Sequence, residues 1–127
     1  MKRILIIETD LGFVFWLGQA LDSYGYQATP AKNVPDATSL LGQSKTNIDL
    51  LIVNPSQEGI ATFVKRLRRS QKNLKVIAVT ADPHSPVLKG ADATKSKASA
   101  RDDISEWLEL VRSVFEDATP ERIKKAG

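Results

Sequence analysis

Cysteine is absent from all 127 residues, which excludes both a disulfide framework and a thiolate zinc site. Histidine occurs once. His84 lies in a loop between Pro83 and Pro86, outside any acidic–hydroxyl constellation, and reads as a surface residue rather than a catalytic base or phosphate carrier. Long apolar runs are also missing. Met1-Lys2-Arg3 leads directly into a strand too short for a signal peptide, and no stretch could span a bilayer, so a cytoplasmic protein is expected. A strong excess of one charge is lacking too, with 18 Lys and Arg against 15 Asp and Glu, a formal excess of +3. A nucleic-acid-binding domain would carry a stronger bias, so neither nucleic acid nor membrane is expected as a partner. There is no glycine-rich phosphate loop, no Walker motif and no Ser/His/Asp set.

What the chain does have is alternation, on a length that suits one domain with its own core. Arg3 to Ile7 reads as a buried strand. Leu11 to Tyr24 puts Val14, Leu17, Leu21 and Tyr24 on one helical face and stops at Gly25. Tyr26 to Ala28 is a short second strand. Asn33 can cap a helix with Pro35 in its first turn and Ala37, Leu40 and Leu41 facing inward. Ile48 to Val53 is a third strand, covered on both faces. Ile60, Phe63, Val64 and Leu67 mark a third helix, whose outer face holds Lys65, Arg66, Arg68 and Arg69, with Lys72 and Lys75 beyond it. Lys75 to Thr80 is a fourth strand. Ile104, Trp107, Leu108, Val111 and Phe115 define a last helix, starting near Ser99 or Ala100.

Strands alternating with helices need crossover connections, hence a parallel sheet between helical layers, a three-layer α/β/α sandwich. Sites in such folds lie at the carboxyl ends of the strands. Those ends are Glu8-Thr9-Asp10, Asn54, Thr80 and the neighbourhood of Lys97. From Asp117 the chain turns polar and is broken by Pro120, so 1–117 reads as the domain and 118–127 as a tail or the start of a linker.

In this order the motifs resemble the receiver domain of bacterial response regulators, from Met1 to about Asp117. That family places an acidic pair after the first strand, a phosphoacceptor Asp after the third, Ser or Thr after the fourth, and Lys-Pro after the fifth. Ile4-Leu5-Ile6-Ile7-Glu8-Thr9-Asp10 matches the first motif, with Glu8 and Thr9 at the acidic positions. Asp49-Leu50-Leu51-Ile52-Val53-Asn54 matches the second, with Asn54 at the acceptor position. Val79-Thr80-Ala81 matches the third, and Gly90-Ala91 followed by Lys97 the last. No single motif is specific, but four in order on a βα alternation are hard to obtain by chance. The resemblance implies a flavodoxin-like, CheY-like (βα)5 fold with five parallel strands. It also implies the chemistry: carboxylates hold Mg²⁺ beside the incoming phosphoryl group, and the metal and Lys neutralise its charge.

Against that pattern the chain departs in six places. Thr9 removes a metal carboxylate. Asn54 removes a second ligand charge and the nucleophile, because an amide is nearly isosteric with a carboxylate but uncharged and a very poor nucleophile. Pro55 follows at once, and the loop to Gly59 is short. Only nine residues separate Thr80 from Gly90, with Pro83 and Pro86 among them, so the family's fourth helix is shortened or missing. Thr94 stands where the family has a switch aromatic, and Ala98 replaces the proline after Lys97. No metal or other cofactor is therefore expected.

Together these departures describe a pseudo-receiver, a non-enzymatic module acting through phosphorylation-independent contacts with signalling partners. A further output domain and a second copy of the chain are candidates. Two alternatives stay open: a response regulator still phosphorylated or otherwise regulated in a two-component phosphorelay, with Asp10 as the substitute acceptor, and a small flavodoxin-like ligand-binding domain. Lys97 reads as an anion ligand or as an ordinary lysine paired with Glu8, and Thr80 as a switch hydroxyl or a plain strand residue. The basic stretch reads as a solvated helix face. On the first helix, Phe13 and Trp16 fall on one flank of the buried stripe and Phe15 points nearly away from it. Exposed aromatics mark interfaces, so these three residues are the interface candidates.

Overall fold

Five parallel strands form one sheet, and helices cover both of its faces. The computed structural model describes residues 2–44, 47–80, 88–96 and 104–116. In chain order these form β1 (Arg3–Ile7), α1 (Leu11–Ser23), β2 (Gln27–Ala31), α2 (Val34–Ser44), β3 (Leu50–Val53), α3 (Ile60–Ser70), β4 (Lys75–Thr80), β5 (Ala93–Ser96) and α4 (Ile104–Glu116). The sheet order is β2-β1-β3-β4-β5 with every pair parallel, which gives the expected three-layer sandwich. The segment 81–87, with His84 and the place of a shortened fourth helix, lies outside the described residues. So do Lys97, Ala98, the expected helix start at Ser99 or Ala100, and the tail from Asp117.

Side chains along a strand alternate between the faces of a sheet, so a strand that is apolar at every position feeds two cores. Ile4, Ile6, Leu50, Ile52, Ile77 and Val79 pack against α1 and α4, through Val14, Leu17 and Leu21 on one helix and Trp107 and Val111 on the other. The intervening residues Leu5, Ile7, Leu51, Val53, Val76 and Ala78 face Ala37 of α2 and Ile60, Phe63 and Val64 of α3. Full burial of one such Leu or Ile is worth about 1.5–3 kcal/mol, which holds β1, β3 and β4 in the middle of the sheet. Trp107 is fully buried and meets Phe13 edge-on, with ring centroids 5.9 Å apart. Its indole N–H has no hydrogen-bond partner among the described residues.

Several expected boundaries shift. Tyr24 is not on the buried stripe: α1 ends at Ser23, and Tyr24 is its C-cap, 68% exposed. Beyond the last helical residue the 100° progression no longer applies, and Gly25, at φ 91°, turns the chain towards β2. β2 runs on to Ala31 through Pro30, beyond the expected end at Ala28. As an edge strand it tolerates a residue without an N–H. β3 begins at Leu50 rather than Ile48. Ile48 is still buried, and its N–H donates to Gln71 Oε1 at 2.6 Å. On α4, Val114 is in the core and Phe115 is half-buried against Tyr26, with centroids 5.7 Å apart. The expected Asn33 cap of α2 is present: its Oδ1 accepts the Asp36 N–H at 2.8 Å.

Candidate functional site

Register places the site. Ile7 lies opposite Val53, so Glu8 and Asn54 leave the sheet side by side, between β1 and β3, where the strand order reverses. Both extend the ladder by one residue: the Asn54 N–H donates to the Ile7 carbonyl at 3.3 Å and the Glu8 N–H to the Ala31 carbonyl at 3.1 Å.

Glu8 is 3% exposed, the one polar side chain in the buried set of the described residues. A buried carboxylate is tolerated when donors satisfy both oxygens. Asn54 Nδ2 donates to Glu8 Oε1 at 3.1 Å. The Asp10 N–H donates to Oε2 at 2.9 Å, and Thr9 Oγ1 lies 3.4 Å from the same oxygen. At the other end of the amide, Asn54 Oδ1 accepts the Ser56 N–H at 2.9 Å. Asn54 is thus used as donor and acceptor at once. An aspartate can only accept.

The neighbouring loops close around this pair. Gln57 donates its N–H to the Asn54 carbonyl at 3.1 Å and its side-chain amide to the Lys32 carbonyl at 3.2 Å. The short Asn54–Gly59 loop is thereby tied to the segment after β2. Asp10 has a structural task as well: its Oδ1 accepts the Phe13 N–H at 3.2 Å and caps α1. An Asp directly before an apolar helical run is a signal of that role in the sequence. A cleft of about 280 Å³ beside the strand ends is lined by Asp10, Gly12, Phe13 and Trp16.

The other predicted positions scatter. Thr80 ends β4, half-buried and in register with Ser96. Thr94 is exposed on β5, opposite Ala78, and no aromatic ring stands there. Lys97 is outside the described residues, so its pairing with Glu8 is not on view. The donor set does not fit Mg²⁺. Thr9 brings a hydroxyl where the ion prefers a carboxylate, and Asn54 Oδ1 already takes a loop N–H. Among the described residues no three His, Cys, Asp or Glu side chains come together as a metal site.

Of the interface candidates, Phe13 is corrected to a core residue, 4% exposed, because α4 brings Trp107 against it. Trp16 is half-buried beside Phe13, at 6.1 Å between centroids. Phe15 is 64% exposed, with Leu11 and Tyr24 also largely open on the same helix and its cap. It borders a groove of about 150 Å³ shared with Gln19, Asp22, Ala28 and Pro30, between α1 and the edge strand.

One residue with a specific task gave no sign in the sequence. Arg68, read as part of a solvated basic face, turns back over the end of α3. Its guanidinium donates to the carbonyls of Gly90 at 2.6 Å and Leu74 at 3.2 Å, and pairs with Asp92 at 2.7 Å. Asp92 Oδ2 also accepts the Val76 N–H at 2.8 Å. The clamp joins α3 to the start of β4 and the entry to β5.

No family model matches the chain, and no curated protein matches it. Solved structures do. The response regulator TrrA of Thermotoga maritima, in complex with Mg²⁺–BeF, aligns at 27% identity over 87% of this chain and 98% of its own, with a TM-score of 0.67. A CheY-like receiver domain protein from Methanospirillum hungatei aligns at 21% identity over 95% of this chain and 98% of its own, with a TM-score of 0.75. The fold is the CheY-like receiver fold. The signal receiver domain of an HD domain-containing protein from Pseudomonas fluorescens is similar too, at 22% identity, covering 95% and 91%, with a TM-score of 0.76. The receiver fold accounts for where Glu8 and Asn54 meet, since its switch point lies between β1 and β3.

Proposed function

We propose that this chain is a pseudo-receiver: a signalling module that works by contact with protein partners and is not itself phosphorylated. The bond from Asn54 Nδ2 to Glu8 Oε1 carries the reading. Phosphoryl transfer to a receiver needs a carboxylate nucleophile flanked by metal-binding carboxylates. Here a neutral amide occupies that place and spends its N–H on the buried glutamate. Thr80 and Thr94 then have no phosphoryl group to report. The exposed ring of Phe15, with Leu11 and Tyr24, supports α1 as a working surface for a signalling partner, an output domain or a second copy. Among the described residues no helix is long and apolar enough to cross a membrane.

Incubation of the protein with acetyl phosphate and Mg²⁺, followed by intact-mass measurement, tests the first half of the proposal. The expected spectrum is unchanged. A stoichiometric adduct of one phosphoryl group overturns the reading and returns the protein to the phosphorelay class, with Asp10 the first position to sequence.

A further inference from the structure

The face of the sheet away from the Glu8–Asn54 side carries a feature that pseudo-receiver status does not use. Between α2 and α3 lies a cavity of about 190 Å³, lined by Thr38, Leu41, Phe63, Arg66, Leu67 and Ser70. Phe63 forms its buried floor, and Leu41 and Leu67 are partly open to it. Arg66 is the cation that lines the cavity, and Arg69, one turn further along α3, is exposed beside Arg66; α3 has no acidic residue, and Lys65 and Lys72 are exposed away from the groove. Arg68 is spent on its clamp. The other four cations make no ion pair among the described residues.

We infer that the α2–α3 groove is a docking site for an acidic amphipathic segment of another protein, its apolar side chains on Leu41, Phe63 and Leu67 and its carboxylates on Arg66 and Arg69. Charge complementarity selects that occupant. An apolar slot edged by Arg66, with Arg69 next to it on α3, suits a segment with leucine-like anchors on one face and glutamates beside them. A nucleic-acid backbone would use the cations and leave the apolar slot empty. The chain's own acidic helix, α4, is a poor occupant because its glutamates are already engaged. Glu106 pairs with Lys95 at 2.9 Å, and Glu109 and Glu116 flank Arg112 at 3.6 and 3.5 Å. The inference is independent of whether Asn54 can be phosphorylated.

The test uses the whole protein and a fluorescein-labelled helical peptide with leucines at i, i+3, i+4 and i+7 and glutamates between them. Polyglutamate of equal length, a leucine–lysine counterpart and a short DNA duplex serve as comparison probes. The acidic amphipathic peptide is expected to bind at least about tenfold tighter than any of the three, by polarisation at moderate salt. Arg66→Glu/Arg69→Glu should weaken it by about tenfold or more with an unchanged melting curve, since both side chains are exposed. In NMR titrations the shifts should centre on Leu41, Phe63 and Leu67. Equal binding of polyglutamate or tighter binding of DNA overturns the proposal, as do shifts centred on Phe15. Self-association in sedimentation velocity that Arg66→Glu/Arg69→Glu abolishes also overturns it, by making a second copy the occupant.

Discussion

Asn54 and Glu8 are held together by a single side-chain bond, Nδ2 to Oε1 at 3.1 Å, between residues 46 apart in the chain. Its direction matters more than its length. The amide donates and the buried carboxylate accepts, so the substitution that would restore a phosphoacceptor also removes the donor.

Asn54→Asp is therefore expected to lower stability by about 1–3 kcal/mol, because it trades the Nδ2 donor to Glu8 for a second carboxylate set against the first. Urea denaturation in EDTA measures it. Mg²⁺ should bind the single variant weakly and Asn54→Asp/Thr9→Asp better, because the second change adds the carboxylate that Thr9 lacks. A single variant that binds Mg²⁺ and accepts phosphate as ordinary receivers do would contradict this account of the site.

The reciprocal swap, Glu8→Gln/Asn54→Asp, restores one donor facing one acceptor. It should be more stable than the two single changes predict by addition, with a coupling of about 0.5–3 kcal/mol in a double-mutant cycle. Strict additivity would mean that the bond contributes nothing.

Two aromatic residues on one helix turn should separate cleanly. Phe13→Ala removes a buried ring packed on Trp107 and should cost about 3–5 kcal/mol. Phe15→Ala removes a mostly exposed ring and should leave stability within about 0.5 kcal/mol while weakening partner binding or self-association. A large fall in melting temperature for Phe15→Ala, with association intact, would assign that ring to the core.

Arg68→Ala should cost about 1–2 kcal/mol, a value reduced by the partial exposure of both Arg68 and Asp92. Arg68→Lys should recover little of it, since one ammonium cannot span the Gly90 and Leu74 carbonyls and the Asp92 carboxylate together. Gly90→Ala should be destabilising as well. Its φ of 87° disfavours a side chain, and an added Cβ would sit 3.2 Å from Arg68 Nη1. Thermal melts of the three variants compare these expectations.

Much of the fold was legible in the sequence because it rests on period alone. The apolar runs mark β1 and β4 to the residue, and the spacing of Ile60, Phe63, Val64 and Leu67 marks the inner stripe of α3. The errors fall where neighbours override the pattern. Tyr24 follows the helical spacing but lies past the last turn, and Pro30 argues against a strand except at a sheet edge. Phe13 sits on the flank of its own helix yet is sealed by Trp107 from another.

By itself the sequence determined the parallel sandwich, the strand ends that make a site, and the replacement of a carboxylate by an amide at Asn54. Those follow from hydrophobic period, from the need for crossovers and from side-chain chemistry, all of which are local in the chain. Tertiary structure alone decided what the amide does, because only the Ile7–Val53 register brings Asn54 against Glu8. It also took Arg68 out of a row of equivalent-looking cations and made it a clamp. A charged side chain chooses among acceptors that are close in space, and no spacing along the chain records which ones those are.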